Sequence, residues 1–189
     1  MSDYTAIYDV GETLIKLLWE NIKDDPQVNS IVESEEQITL ASPEEMEDGS
    51  KRLSLFLYHV TEFSYLKNQE MLIENSKLRF SPLYLTLHYL IIPYTQNREN
   101  DHILLGKVMQ IFHDNAILRG STLQGSLEDE LRVTFNPLSI DELNKIWNML
   151  NKPYRLSVSY KVAPVRIDST REKEAKRVVE RRLEKYVIG

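Results

Sequence analysis

Residues 51–61 read KRLSLFLYHVT, a run with the two-residue period of a β-strand. Leu53, Leu55 and Leu57 share one side of this run, and Phe56 and Tyr58 make the other side almost as apolar. A strand that is apolar on both sides is typical of the inside of a sheet whose two faces are covered. The stretch therefore predicts a strand that lies within a sheet and has other elements packed against it.

The same period marks further strands along the chain. PLYLTLHYLIIPY at 82–94 is the second long strand, and its prolines lie near its ends, where a missing hydrogen-bond donor does least harm. Residues 128–135 and 155–165 are predicted to be the third and the last long strands, and residues 37–41 a short one. Residues 62–77 keep neither the helical nor the strand period and are predicted to be irregular.

Apolar residues at helical spacing predict helices over residues 4–23 and 98–115. The pattern S-x-x-E at Ser139 and Glu142 is a capping box, and it predicts that a short helix begins there. The same pattern recurs at Ser169 and Glu172 and predicts a final helix with an apolar stripe.

This order of elements predicts an α+β domain with a single mixed or antiparallel sheet of four to five strands and helices packed on it. We place this domain at residues 1–168 and a C-terminal amphipathic helix at residues 169–189. The seam between the two is expected between Pro164 and Thr170.

The composition of the chain excludes several classes of function. The 189 residues include no cysteine, which excludes disulfides, thiol catalysis and zinc–cysteine sites. The formal net charge of −6 argues against a general nucleic-acid binder. The N-terminus lacks the basic and apolar regions of a signal peptide, and no run approaches the ~20 apolar residues of a membrane span. These features predict a cytosolic protein.

No set of residues in the sequence predicts catalysis. The four histidines are His59, His88, His102 and His113. His59 and His88 are cross-strand neighbours if their strands pair, but two histidines without a third ligand make a poor metal site. His102 and His113 share a helix face about 16 Å apart along the axis. The six glycines form neither G-x-G-x-x-G nor a P-loop, and no serine lies in G-x-S-x-G. We therefore predict no catalytic, metal or cofactor site.

Charge is distributed unevenly. Residues 24–50 contain nine acids and no lysine or arginine, whereas residues 168–189 contain seven bases and five acids. The simplest interpretation is a solvated loop and a solvated helix face. The basic tail could also pack on its own sheet, lie on an anionic membrane, bind nucleic acid or dock on another protein; its interleaved acids weaken the membrane and nucleic-acid alternatives.

Four blocks of the sequence together resemble a known family. They are RLSLFLYHVTEFSYLKN (52–68), PLYLTLHYLIIPYTQNRENDHILLGKVMQIFHDNAIL (82–118), VTFNPLSIDELNKIWNMLNKPYRLSVSYKV (133–162) and APVRID (163–168). The chain resembles, over roughly residues 5–168, the N-terminal domain of the cap, or tail-terminator, proteins of extracellular contractile injection systems. These systems are phage-tail-like particles of the antifeeding-prophage and Photorhabdus virulence-cassette type.

The resemblance implies a structural protein rather than an enzyme, without a cofactor. It implies a homohexameric ring on the end of the inner tube and sheath that is distal to the baseplate. The ring would stop polymerisation and join tube to sheath, so its partners would be further copies of itself and the sheath and tube proteins, with no nucleic acid or membrane. Assembly would be cytoplasmic, in a particle that can leave the cell. The alternatives are another tail-completion or connector protein, or else a small hydrolase or nucleotide-binding enzyme.

A closed ring requires two different patches on each subunit, because its contacts are heterologous. We expect the basic tail to meet the acidic segment of a neighbour. The candidate subunit-interface residues are Arg177, Arg181, Arg182 and Tyr186 in the tail and Glu35, Glu36, Glu44 and Glu45 in the acidic segment.

Overall fold

The computed structural model describes residues 2–46, 49–64, 72–74 and 77–174, and it describes only the backbone of residues 72–74, 77–79 and 172–174. The helices of this part of the chain are α1 (Ala6–Ile22), α2 (Pro26–Asn29), α3 (Arg98–Asp114) and α4 (Ile140–Met149). The helices predicted at residues 4–23, at 98–115 and after Ser139 are confirmed.

The strands within the described residues are β1 (Ile38–Thr39), β2 (Leu53–Glu62), β3 (Leu72–Glu74), β4 (Lys77–Arg79), β5 (Leu83–Pro93), β6 (Ile117–Leu118), β7 (Leu131–Phe135), β8 (Val158–Ile167) and β9 (Glu172–Glu174). Six of them form the main sheet in the order β1-β2-β5-β8-β7-β6. β1 runs parallel to β2, and every other pair in this sheet is antiparallel.

The predicted α+β class with a mixed sheet is therefore confirmed, with a small difference in strand number. The main sheet has six strands rather than four to five. The strand that the sequence pattern missed is β6, which has only two residues and so is too short to display a period. β8 continues through Pro164 to Ile167, so the chain is still part of the sheet where the predicted seam begins.

A second, three-stranded sheet has the order β3-β4-β9. β3 and β4 form an antiparallel hairpin in which Leu72 pairs with Arg79, so the prediction of irregular structure up to residue 77 is wrong for this part. β9 pairs with β4, with Glu174 opposite Lys77.

The position of β9 corrects the expected start of the final helix. Glu172 is the first residue of a strand and not the third residue of a helix, and the Ser169 hydroxyl accepts a hydrogen bond from the Arg171 N–H at 3.2 Å. An S-x-x-E pattern offers only local stabilisation, and here the ladder hydrogen bonds to β4 decide the conformation instead. The rest of the predicted helix, residues 175–189, lies outside the described residues.

One face of the main sheet carries the larger core. Helices α1 and α3 pack on this face with side chains that are almost fully buried. The buried members of this core include Leu53, Leu55, Leu87, Tyr89, Ile91 and Val162 of the sheet and Val10, Leu14, Leu18, Leu104, Val108 and Phe112 of the helices. Burial of each aliphatic side chain contributes about 1.5–3 kcal/mol before the cost of ordering the chain.

Half of the opposite face is covered by α4. Trp147 of this helix is buried against Leu90 and Ile92 of β5. The predicted capping box is present at the start of the helix: the Glu142 N–H donates to the Ser139 hydroxyl at 3.3 Å, and the Ser139 N–H donates to the Glu142 carboxylate at 2.8 Å. The sheet is thus covered on both sides near α4, as the apolar pattern of β2 predicts.

Candidate assembly surfaces

Five exposed acids flank the edge strand β1. Glu33, Glu35 and Glu36 come before this strand and Glu44 and Glu45 follow it. We call these five residues the acid-rich edge. The two groups lie in or next to short 3₁₀ turns at Glu35–Gln37 and Pro43–Met46, one on each side of β1.

Main-chain and side-chain contacts hold the acid-rich edge in place. The Arg52 N–H donates to the Gln37 carbonyl at 2.8 Å, and the Ser54 hydroxyl donates to the Ala41 carbonyl at 2.7 Å. Pro43 and Met46 are buried and anchor the second turn. The acids are therefore presented from a fixed position on the sheet and not from a loose loop.

This arrangement gives the sheet an edge that disfavours further strand pairing. β1 has two residues, so it offers few free backbone groups, and the carboxylates on both sides repel an incoming acidic segment. The opposite edge strand, β6, is equally short. Short edges and nearby charge are the usual means by which proteins prevent edge-to-edge growth.

The structure brings together four of the eight predicted interface residues. Glu35, Glu36, Glu44 and Glu45 lie at the same edge of the sheet. Arg177, Arg181, Arg182 and Tyr186 lie outside the described residues. Their pairing with the acid-rich edge of a neighbour stays a prediction.

A second charged feature lies on the half of the sheet face that α4 leaves open. His59 of β2, His88 of β5 and Lys161 of β8 are directly opposite one another across three neighbouring strands. We call these three residues the cationic row. The imidazole centroids of His59 and His88 are 5.2 Å apart, which confirms the prediction that they are cross-strand neighbours.

Sequence reasoning did not single out Lys161. The alternation of Leu156, Val158, Tyr160 and Val162 places it on the opposite side of the strand from the main core. This alternation predicts on which face of the sheet Lys161 lies, but not which residues of the neighbouring strands lie beside it. The register between β5 and β8, which includes a shift between Leu85 and Leu87, decides that Lys161 lies beside His88.

The surroundings of His88, the central residue of the cationic row, shift its pKa. Burial lowers the pKa of His88 below its ordinary value, and the positive charges of Lys161 and His59 lower it further. The His88 Nε2 lies 3.2 Å from the Thr61 hydroxyl. These interactions favour the neutral imidazole of His88, because burial and nearby positive charge both disfavour its protonated form.

A buried polar cluster fixes the end of the sheet next to α3. The Asp101 carboxylate accepts hydrogen bonds from the Thr95 N–H at 2.9 Å and from the Thr95 hydroxyl at 2.7 Å. The Arg155 guanidinium donates to the Pro93 carbonyl at 2.9 Å, lies 3.4 Å from the Asp101 carboxylate and stacks 4.5 Å from the centre of the Tyr94 ring. Asp101 thus ties α3 to the sheet, a role that its position in a first helical turn did not reveal.

The described part of the chain has neither a group of possible metal ligands nor a helix able to span a membrane. Within it, no three histidine, aspartate or glutamate side chains are grouped so that they could hold a metal ion. None of its helices combines the length and the apolar character that crossing a membrane requires.

Comparisons with known proteins give a consistent result. A model of the Pvc16 N-terminal domain matches residues 9–181. The cryo-EM structure of the PVC sheath/tube terminator in its extended state, from an extracellular contractile injection system, is similar with a TM-score of 0.69 and 18% identity, over 99% of this chain and 66% of that chain. The cryo-EM structure of the anti-feeding prophage cap, a tube-terminating cap, is similar with a TM-score of 0.61 and 18% identity, over 95% of this chain and 61% of that chain.

No curated protein has a sequence similar enough to match. The chain spans less than two thirds of the length of the two solved proteins, 66% and 61%. At 18% identity the likeness to these structures establishes the fold. The family model covers most of the sequence, and the chain belongs to the Pvc16 N-terminal domain family.

Proposed function

We propose that this protein is a structural cap of a phage-tail-like contractile injection particle. It forms a homohexameric ring on the end of the inner tube and sheath distal to the baseplate, ends their polymerisation and joins one to the other. It acts through its surfaces and catalyses no reaction. It assembles in the cytoplasm and remains a component of the particle.

The observation that carries this proposal is the fold likeness to a sheath/tube terminator over 99% of the chain. The edges of the main sheet support it physically. A terminator has to bind a growing end on one side and offer no template on the other. The short strand β1 and the acid-rich edge beside it meet the second requirement, because charged, short edges do not pair with further strands.

Removal of the chain is expected to abolish length control. Particles assembled without it should have tubes and sheaths of variable length with open ends, because nothing then competes with addition of the next layer. Electron micrographs of purified particles measure the length distribution, and re-supply of the wild-type chain should restore the narrow distribution. Particles of uniform length and intact ends in its absence would exclude the proposed function.

We further propose that the subunit contact pairs the acid-rich edge of one copy with Arg177, Arg181 and Arg182 of the next, with Tyr186 adding apolar contact. Changing the three arginines to glutamate is expected to weaken ring formation about tenfold in low salt, because several exposed ion pairs become repulsive. Sizing and sedimentation at low and high salt measure the effect, which should shrink as salt screens the charges. A variant ring as stable as the wild type in low salt would remove this pairing.

A further inference from the structure

The part of the chain that the structure describes leaves the cationic row uncovered. Next to it lies a groove of about 520 Å³ that His88 and Lys161 line. Hydroxyl groups of Thr61, Thr86 and Thr134 line the same groove. Cations beside hydroxyl donors form a surface suited to carboxylates, since both kinds of group donate hydrogen bonds to an anion.

The acids near this groove already have partners, and this includes Glu62, which itself lines the groove. The Glu142 carboxylate binds the N–H and hydroxyl of Ser139, and the Glu130 carboxylate lies 3.2 Å from the Arg132 guanidinium. The Lys161 side chain makes no hydrogen bond or ion pair with another described residue, although its backbone is part of the sheet. Lys161, which is half-buried and lies beside His88, is therefore a cation without an ion-pair partner among the described residues.

The missing counter-charge cannot come from the acid-rich edge of the same subunit. Thr39 of β1 pairs with Ser54, at the start of β2, whereas His59 lies five residues further along that strand. This separation is about 15 Å. Both features are fixed on the same sheet, so they can meet only between two copies.

We propose that the cationic row binds the acid-rich edge of a second copy through the turn at Glu35–Gln37. This inference rests on the proposed ring and specifies one of its contacts. The Glu35 and Glu36 side chains are exposed and make no hydrogen bond or ion pair with another described residue, although the Lys51 ammonium donates to the Glu36 carbonyl at 2.7 Å. The Glu45 carboxylate, by contrast, accepts a hydrogen bond from the Ser42 N–H at 2.7 Å. The contact proposed for the basic tail is then confined to Glu44 and Glu45, on the other side of β1.

Charge exchange tests this contact. Lys161→Glu alone, and Glu35→Lys with Glu36→Lys, are each expected to weaken self-association about tenfold in low salt. The chain that carries all three substitutions should regain most of the lost affinity, because the charges are again opposite. Sedimentation equilibrium of each purified full-length chain gives the association constants.

Two controls keep the result specific. Lys16→Glu reverses an exposed cation on α1, on the other side of the sheet, and should leave association unchanged. Circular dichroism identifies any variant that fails to fold, and Lys161→Gln, which removes the charge without adding one, then replaces Lys161→Glu and should weaken association to a smaller extent.

Several outcomes would overturn the inference. Additive losses in the combined variant, or an association constant unchanged by Lys161→Glu, would exclude a direct pairing. Loss of binding to tube ends with an intact ring would place another component of the particle in the groove. Failure of the wild-type chain to form any ring, with particle lengths uncontrolled by it, would instead refute the proposed function.

Discussion

Replacing Trp147 with alanine should lower the free energy of unfolding by about 3–5 kcal/mol. The indole is 2% exposed and is the main contact of α4 with Leu90 and Ile92 of β5. Its removal leaves a cavity on the second face of the sheet, and the other α4 side chains in this cluster, Leu143 and Ile146, are only partly buried. The indole N–H also lies 3.4 Å from the Ser157 hydroxyl, and this weak hydrogen bond is lost as well.

Equilibrium unfolding in urea, followed by circular dichroism, measures this loss, and the melting temperature should fall by about 6–20 °C. The same helix provides a matched control, because Ile140 is 85% exposed. Ile140→Ala should change stability by less than about 0.5 kcal/mol. Equal unfolding midpoints for wild type and Trp147→Ala would show that α4 does not cover the sheet as described.

Gly125→Ala is expected to cost about 2–4 kcal/mol, for two separable reasons. The backbone at Gly125 has a φ of +61°, where a side chain is unfavourable. A Cβ there would also lie 2.2 Å from the Asp9 carboxylate. That carboxylate accepts hydrogen bonds from the N–H and hydroxyl of Ser126 at 2.9 and 2.8 Å and from the Thr5 hydroxyl at 2.7 Å, so displacing it breaks the link between α1 and this loop.

A substitution at Gly120 measures the backbone cost of a positive φ without the clash with a neighbouring side chain. Its φ is +62°, but no atom lies within 4 Å of a Cβ built on it. Gly120→Ala should therefore show only the backbone cost of about 1–2 kcal/mol. In an Asp9→Ala background, Gly125→Ala should cost little more than Gly120→Ala, because the clashing group is gone. Equal losses for the two glycines in the wild-type background would contradict the contact with Asp9.

Local signals in the sequence predicted the elements that depend on local interactions. The capping box at Ser139 and Glu142 marks the start of α4, because both hydrogen bonds join residues three apart. The same pattern at Ser169 and Glu172 failed, because the backbone there pairs with β4, a strand more than ninety residues earlier in the chain. A local pattern cannot report a competing partner that is distant in sequence.

For the candidate surfaces, too, the sequence predicted the local features but not the positions that depend on distant strand pairing. The acidic segment was evident from composition, since nine acids without a lysine or arginine fill residues 24–50. Its place at a two-residue edge strand was not evident, because that depends on the parallel pairing of Ile38 with Leu53. The cationic row was visible only in part, as a conditional pairing of His59 and His88.

The sequence by itself determined the α+β class, the long strands, three of the helices and the resemblance to tail-terminator proteins. Each of these follows from periodicity, capping residues or motif order, which a linear chain displays directly. The tertiary structure decided the order of the strands, the half of the sheet that α4 leaves open and the meeting of His59, His88 and Lys161. Register decides these features, because a shift of one residue moves every side chain of a strand to the opposite face.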